Sequence, residues 1–345
     1  MTHVLDDVTP LTWSTPTQAD MSDVIGLVHG IYYFDNSAER MSETEIIESF
    51  PSGHPELVIA GRAQDTLLAV GWNIPWDAGQ DSPIGRVNLR GGVHPAYRHK
   101  GIGRHLLEWQ MQMTRRWWWE NRGPLETDLE MYTTADAHLT TRRRMYEHAG
   151  FQEYRWFFDL HRDLVHELPE RCACGAGLRL VKFGPELSEA TRQAHNAVFA
   201  DAFGAEEISA QEWTESLARP NARPSWSWVV VDAEDTVVGY ALNSCNDPDS
   251  RFPEGWTDRL GVRPDYRHRG IGRGLLVESL RTFAEVGMSS AGLGVDTRPS
   301  AHVAGDTEET ELALYRSVGY EATDTIVQYQ RTECLEHVRE QIKGK

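Results

Sequence analysis

The sequence predicts an α/β protein made of two similar domains in tandem, and the first reason is a stretch that it contains twice. One copy runs from Val93 to Arg104 and the other from Val262 to Arg273, so equivalent residues stand 169 positions apart. Each copy contains a Gly-rich loop and is followed by apolar residues at helical spacing. At 345 residues the chain is also long for a single core and suits two domains.

Both copies have the features of an anion site. A strand, a tight basic loop and a helix in that order leave free helix amides that converge on an anion, and glycine lets the backbone approach closely. Arg98 and Arg267 can add charge-assisted bonds to the same anion. A dinucleotide fingerprint is excluded because Leu106 and Leu275 stand where its third glycine is needed. A nucleotide-triphosphatase loop would require Gly-Lys-Ser/Thr, which neither copy contains.

Composition narrows the choice of partners and compartment. The net charge of −18 argues against a nucleic acid or an anionic membrane and suits a small cationic substrate. The first residues lack the basic and apolar parts of a secretory signal, and no apolar run reaches the ~20 residues of a membrane span. Four cysteines in so long a chain indicate a reducing compartment, so we expect the cytoplasm. No metal site is expected, and the sequence leaves monomer and homodimer open.

Periodicity and cap signals predict ten elements in the first half. Asp20 is a candidate cap for the first helix, and Ser42 with Glu45 forms a capping box for the second. The expected strands are Leu11–Trp13, Glu56–Gly61, Thr66–Pro75, Arg86–Val93, Glu126–Thr133 and Phe151–Leu160. The expected helices are Met21–Phe34, Ser42–Phe50, Gly101–Glu120 and Thr141–His148.

The second half repeats this order. Its expected strands are Leu178–Phe183, Ser227–Val231, Val237–Asn243, Trp256–Val262, Gly292–Asp296 and Tyr320–Gln330. Its expected helices are Ser188–Phe203, Ala210–Leu217, Gly270–Val286 and Glu309–Val318. The predicted domains are residues 1–162 and 178–345, joined by a linker over 163–177 that is rich in Asp, Glu, Pro and Gly.

The pattern Arg-x-x-Gly-x-Gly after a strand ending in Val-x-Pro closely resembles the acetyl-CoA pyrophosphate loop of the GCN5-related N-acetyltransferases (GNATs). The resemblance implies two GNAT domains, each a mixed and mostly antiparallel sheet with a central splayed parallel strand pair flanked by helices. The pantetheine arm would lie in that gap and pair with the strand ending at Val93 or Val262. The implied coenzyme-binding residues are Val93, Arg98, His99, Lys100, Gly101, Ile102, Gly103 and Arg104, and Leu260, Gly261, Val262, Arg267, His268, Arg269, Gly270, Ile271, Gly272 and Arg273.

A second repeated segment strengthens the resemblance. Met145 to Phe151 and Leu314 to Tyr320 are similar to the family's Leu-Tyr-x-x-x-Gly-Phe segment, and Tyr146 and Tyr315 again differ by 169 positions. The family's tyrosine protonates the departing thiolate, and a phenol with a pKa of ~10 is a competent donor for that step. A tyrosine packed in the core is the structural alternative for either copy.

Acyl transfer to an amine also needs a proton acceptor, since an alkylammonium is mostly protonated at neutral pH. The first candidate is Asp258, four residues before Val262, where the family often places an acidic base. Asp296 is the second candidate and Glu254 is weaker. Leu89 stands at the position equivalent to Asp258, so we expect the C-terminal half to be the catalytic one. The acidic stretch Asp306–Glu309 could attract a cationic acceptor there, whereas the run Arg142–Arg144 would repel one in the first half.

We therefore predict an acetyl-CoA-dependent N-acetyltransferase of a small amine, with direct attack on the thioester and no acyl-enzyme. The amine could belong to an antibiotic, a natural product or a mycothiol precursor, because the residues around the acceptor position depart from the family's pattern. A non-catalytic acyl-CoA-binding or regulatory tandem module is the competing class, and a different acyl group or an alcohol acceptor is a third possibility.

Overall fold

A computed structural model describes residues 11–76, 85–121, 127–171, 174–200, 207–246, 253–297 and 308–343. The chain divides into two compact units, of which the first contains residues 1–157 and 325–345 and the second residues 158–324. No helix among the described residues is long and apolar enough to cross a membrane.

The first unit contains a mixed sheet with helices on both of its faces. Its elements are β1 (Thr12–Ser14), α1 (Met21–Asp35), α2 (Glu43–Ser49), β2 (Val58–Ala63), β3 (Thr66–Trp76), β4 (Gly85–Val93), α3 (Ile102–Asn121), β5 (Leu129–Asp136), α4 (Thr140–His148) and the first part of β6 (Gln152–Asp163). The predicted capping box of α2 is confirmed, because Ser42 N donates to Glu45 at 2.7 Å and Glu45 N donates to Ser42 at 3.2 Å. Asp20 instead accepts bonds from Thr17 N and Oγ1, in the turn that precedes α1.

The second unit repeats the same order of elements. After the rest of β6 come β7 (Arg179–Lys182), α5 (Ser188–Phe199), α6 (Ala210–Leu217), β8 (Trp228–Val231), β9 (Val237–Asn246), β10 (Glu254–Val262), α7 (Ile271–Glu285), β11 (Ser290–Thr297), α8 (Glu308–Ser317) and β12 (Glu321–Glu333). The last helix, α9 (Leu335–Lys343), follows β12 and belongs to the first unit. The predicted mixed α/β architecture, mostly antiparallel with a parallel pair in each half, is confirmed.

Because of the two closing strands, β6 and β12, the compact units do not coincide with the two halves of the sequence. Residues Ile326–Glu333 of β12 pair antiparallel with β5, so the C-terminal end of the chain completes the sheet of the first unit. Leu160 of β6 packs among Leu276, Leu280 and Phe283 in the core of the second unit. Each unit therefore contains a closing strand from the other half of the sequence. Whether residues 1–162 and 178–345 fold as separate domains stays a prediction.

Two equivalent arginines make the same contact in the two units. Arg331 on β12 donates to the carbonyl of Ala149 at the end of α4, and Arg162 on β6 donates to the carbonyl of Val318 at the end of α8. These residues also stand 169 positions apart. Such bonds satisfy helix carbonyls that have no partner within the helix. The exchange of closing strands thus preserves the helix caps that one unexchanged domain would need.

Candidate active site

The two Gly loops have the same backbone conformation. His99 and His268 adopt left-handed φ values of 61° and 60°, and Gly101 and Gly270 follow with 84° and 77°. The first helical bonds run from His105 N to Gly101 O and from Gly274 N to Gly270 O. The amides before those bonds have no partner in the helix and are directed out of its N-terminus. Each loop therefore has the geometry of an anion site.

The basic side chains of the loops help to hold this conformation. Lys100 lies over the ring of Tyr97 at 4.6 Å, and its equivalent Arg269 lies over Tyr266 at 5.0 Å. Ile102 and Ile271 are buried and anchor the starts of α3 and α7 in the core. Arg104 is exposed, and Arg273 donates to the carbonyl of Glu170 at 3.4 Å.

The two equivalent loop arginines, Arg98 and Arg267, differ in their partners. Arg98 Nε donates to Val93 O at 3.1 Å, and Arg267 Nε donates to Val262 O at 3.3 Å, which ties each loop to the end of its strand. Arg98 also forms a bidentate ion pair with Asp35, at 2.5 and 3.0 Å, and the Asp35 side chain is only 1% exposed. Arg98 thus has a carboxylate partner, whereas Arg267 lies at the surface. Direct contact of either guanidinium with a coenzyme anion stays a prediction.

The second glycine of each loop packs against the helix that carries the tyrosine. A Cβ added at Gly272 would lie 3.1 Å from Leu314 Cδ2, and one at Gly103 would lie 3.4 Å from Met145 Sδ. Leu314 and Met145 directly precede Tyr315 and Tyr146. The anion loop and the candidate proton donor are therefore positioned against each other in both halves.

The central parallel strands separate where the resemblance predicts. The pairing of β4 with β5 ends at Asn88 and Tyr132, although the strands continue to Val93 and Asp136. The pairing of β10 with β11 ends at the Thr257 and Leu293 pair, and the strands again continue. The register of β10 against β9 shifts between Thr257 and Arg259, so Asp258 lies at an irregularity beside the gap.

In the first unit the gap is a cavity of about 610 Å³. Its wall contains both separated strands, the Gly loop and Tyr146 of α4. It also contains residues of α1 and α3, which pack on opposite faces of the sheet. The residues that line the cavity on these two faces include Val28, Ile31 and Tyr32 of α1, and Leu106, Leu107 and Gln110 of α3. The cavity thus passes through the sheet at the point where the strands part.

A polar cluster that the sequence did not reveal lies in this cavity. Arg90 Nη2 is 2.8 Å from Glu39 Oε1, Arg90 Nη1 donates to Thr134 Oγ1 at 3.2 Å, and that hydroxyl donates to Glu39 Oε2 at 3.2 Å. Burial lowers the pKa of Arg90, but the bond and charge of Glu39 outweigh it and raise the pKa. Burial raises the pKa of the nearby Tyr32 phenol. The position of Arg90, directly before the Gly-Gly-Val end of β4, is the one sequence signal that could have indicated this cluster. Glu39 lies in a loop without a motif.

In the second unit the Asp258 carboxylate has a hydrogen-bond donor beside it and a raised pKa. Its Oδ1 accepts from Ser244 Oγ at 3.0 Å. The side chain reaches the surface, yet the protein atoms packed around it raise its pKa by desolvation, against the lowering effect of Ser244 and Arg259. Asp296 is exposed near the end of β11. Glu254 lies in the paired part of β10, where it accepts from Ser290 and lies 2.7 Å from His161.

The remaining predicted residues of the second unit pack as follows. Tyr315 is half-buried, with its ring 6.5 Å from Tyr320, and the equivalent pair Tyr146 and Phe151 is 6.1 Å apart. Leu260 and Val262 pack with the apolar residues around α7. Gly261 lies against the ring of Tyr240, whose hydroxyl bonds His195 Nδ1 at 2.6 Å. The acidic stretch Asp306–Glu309 lies outside the residues whose side chains the structure describes.

Two units with the same splayed sheet, Gly loop and tyrosine helix define a tandem acetyltransferase fold. The model of the family described as "Acetyltransferase (GNAT) domain" matches residues 67–153 and 224–322, which together are more than half of the chain. The chain therefore belongs to the GNAT acetyltransferases and is an N-acetyltransferase. Members of this family use an acyl-CoA as the donor.

Relatives and solved structures agree with the tandem arrangement. The mycothiol acetyltransferase of Saccharomonospora viridis is 27% identical over 69% of this chain and 72% of its own length. A GCN5-related N-acetyltransferase from Sphaerobacter thermophilus has the same fold, with a TM-score of 0.67, 20% identity and coverage of 94% of this chain and 96% of that one. A tandem GNAT protein from the clavulanic acid biosynthesis pathway has a TM-score of 0.57 at 16% identity, over 93% of this chain and 98% of that one.

Proposed function

We propose that this protein transfers the acetyl group of acetyl-CoA to the primary amine of a small cationic molecule. The observation that carries the proposal is the gap between parallel strands, which lies beside a Gly loop and a tyrosine-bearing helix in both halves. The name of the mycothiol acetyltransferase relatives supports an acceptor of the mycothiol-precursor kind or another natural-product or antibiotic amine. The acidic net charge supports a cationic acceptor, and the count of four cysteines in 345 residues supports a reducing compartment such as the cytoplasm.

The residues present fit an acyl-CoA. The loop amides at the start of α3 or α7 would hold the pyrophosphate, since glycine at 101 and 270 permits the left-handed turn that directs them outward. The backbone groups of β4 and β10 that face the gap, up to Val93 and Val262, would bond the pantetheine amides. When bound, acetyl-CoA supplies the thioester that the amine attacks directly.

In the second half, Asp258 would accept the proton of the amine and Tyr315 would protonate the leaving sulfur. The raised pKa of Asp258 brings it closer to that of an amine, which favours proton transfer. Asp296, exposed on the strand across the gap, is the second candidate for the base. The carboxylate on the central strand is the reason to assign the main turnover to the C-terminal half, since Leu89 is its equivalent in the first half.

The test combines coenzyme titration with thiol release. We expect calorimetry to show two acetyl-CoA sites in the wild type and one in Gly272→Val, because the new side chain would enter the space between the loop and Leu314. Gly103→Val is the matched variant for the first half. Thiol release from acetyl-CoA with glucosamine, tyramine and a short peptide with a free amino terminus measures turnover. Binding of acetyl-CoA without release of thiol would favour the competing class, a non-catalytic acyl-CoA-binding module.

A further inference from the structure

The first half contains a carboxylate beside its gap, although its central strand has none. Glu39 follows α1 and contacts Arg90 of β4 and Thr134 of β5, one residue from each of the separated strands. The Glu39 side chain is 37% exposed and lines the 610 Å³ cavity that Tyr146 also lines. A carboxylate, a phenol and an anion loop therefore share one cavity.

The segment that carries Glu39 is fastened at several points within the first unit. Asp35 pairs with Arg98 of the Gly loop, and its carbonyl bonds His138 Nε2 at 2.7 Å. Ala38 N donates to Asp136 Oδ1 at 2.8 Å, at the end of β5. A side chain held by its backbone and by two ordered partners loses little further entropy when it binds a ligand. Glu39 is thus preorganised on the α1 face of the gap.

Two of the three arginines that would repel a cation in this half contact carboxylates, although Arg142 shares Asp35 with Arg98. Arg142 Nη2 lies 3.4 Å from Asp35 Oδ2, and Arg143 Nη2 lies 2.6 Å from Glu153 Oε1. These contacts reduce the repulsion that Arg142 and Arg143 would exert on an amine in the first half, and Arg144 is exposed. Glu39 itself retains acceptor capacity, because each carboxylate oxygen has two lone pairs and Arg90 and Thr134 use one on each.

We propose that the first half contains a second acceptor site, in which Glu39 binds the ammonium group of a cationic primary amine and accepts its proton. This inference rests on the proposed function, because it uses the same acyl donor. The amine reaches the gap from the α1 face, and the loop at Gly101 and Gly103 holds the donor at the same cavity. Glu39 thereby supplies the proton-accepting carboxylate that is missing at Leu89, the position equivalent to Asp258.

The proton transfers balance as follows. Glu39 takes one proton from the ammonium, and the freed lone pair forms the new bond from nitrogen to the thioester carbon. Tyr146 gives its phenolic proton to sulfur as the carbon–sulfur bond breaks, and the phenolate then takes the second proton from nitrogen. Glu39 releases its proton to solvent, so each transfer yields one amide, one thiol and one proton.

The experiment isolates the first half in the full-length chain carrying Asp258→Asn and Tyr315→Phe. We expect this variant to retain thiol release with at least one of glucosamine, tyramine and the short peptide. Adding Glu39→Gln should lower that release at least 10-fold, about the lower range for loss of a general base, and Glu39→Asp should restore part of it. Glu48→Gln, an exposed change on α2, is the matched control and should leave it unchanged.

A binding measurement gives a readout apart from turnover. With CoA in place of acetyl-CoA, Glu39→Gln should weaken calorimetric binding of the same amine in that background at least 10-fold. Unchanged release or unchanged amine affinity in Glu39→Gln overturns the inference. If the wild type releases thiol but the Asp258→Asn, Tyr315→Phe chain does not, this inference is overturned and the proposed function stands. Lack of release by the wild type with all three amines counts against the proposed function and this inference together.

Discussion

At the scale of single residues, the two tyrosines lie on helices that end in the same way. Phe151 N bonds Tyr146 O at 3.0 Å, and Tyr320 N bonds Tyr315 O at 3.1 Å, so both helices end in the same way. The helix ends therefore do not separate the halves, although Tyr146 is buried and Tyr315 half-buried, and the clearer difference lies in the carboxylates. Asp258 has a raised pKa and lies on the central strand, whereas Glu39 is paired with Arg90. An arriving ammonium would therefore have to share the Glu39 carboxylate with Arg90.

Replacement of each tyrosine by phenylalanine should show which half carries more of the turnover. We expect Tyr315→Phe to remove the larger part of turnover and Tyr146→Phe to lower it no more than a few-fold. The double variant should lose about two orders of magnitude, a usual size for loss of a general acid. Turnover at saturating acetyl-CoA for the three variants measures this. A larger loss in Tyr146→Phe than in Tyr315→Phe would reverse the assignment of the halves.

The pH profile should report on Asp258. Desolvation raises its pKa, so its basic form is lost as the pH falls through a value above the usual range of an aspartate. We expect kcat/KM of the Glu39→Gln chain to fall at that acidic limit. Asp258→Asn added to it should lower the rate at neutral pH and regain part of it at high pH, where the amine is already neutral. A profile that Asp258→Asn leaves unchanged would transfer the role to Asp296 or to water.

At the scale of elements, β12 is held in the first unit by a buried ion pair. Glu333 accepts from Arg115 Nε and Nη2 of α3, both at 2.7 Å, and from Arg331 at 2.8 Å. Burial raises the pKa of Glu333, but the bonds and charges of Arg115 and Arg331 outweigh it and hold the pKa below its usual value. A carboxylate with a lowered pKa stabilises the fold above its unfolded pKa of about 4, and this stabilisation is lost as the pH falls through the folded value.

Removal of that charge should therefore destabilise the protein. We expect Glu333→Gln to cost about 3 kcal/mol, because Arg115 remains buried without its partner, and to lower the melting temperature by roughly 5–10 °C. Thermal unfolding at neutral pH measures the loss, and the difference from the wild type should shrink below pH 4. Glu120→Gln, which breaks an exposed pair with Arg116, is the control and should change the melting temperature little.

At the scale of the whole molecule, the exchanged closing strands decide which fragments can fold. Val327 and Tyr329 of β12 are fully buried in the core that contains Leu129 and Met131 of β5. A fragment of residues 1–162 lacks β12, so this edge of β5 is unpaired and its apolar face exposed unless β6 takes the place of β12. We expect that fragment alone to aggregate, and co-expression with residues 163–345 to give a soluble complex. A soluble fragment 1–162 with cooperative unfolding would contradict this expectation.

Much of the architecture could be predicted because it depends on local pattern. The Gly loops, the helices that follow them and the tyrosine segments are each specified within about ten residues, and the 169-residue repeat confirms one copy by the other. Capping residues such as Ser42 and Glu45 act on the adjacent helix, so they can also be predicted from the local sequence. The splayed strand pair came from resemblance to the family, since the spacing of residues alone would not show it.

The tertiary structure alone decided how distant segments combine. β5 and β11 present similar edges, so the sequence could not show which of them β12 would pair with. The same limit hid Glu39, which reaches Arg90 across some fifty residues and lies in a loop with no periodicity. It also hid the pairing of Arg98 with Asp35. Local patterns are set by neighbours along the chain, whereas these contacts depend on three-dimensional packing, and packing determines which carboxylate reaches each gap.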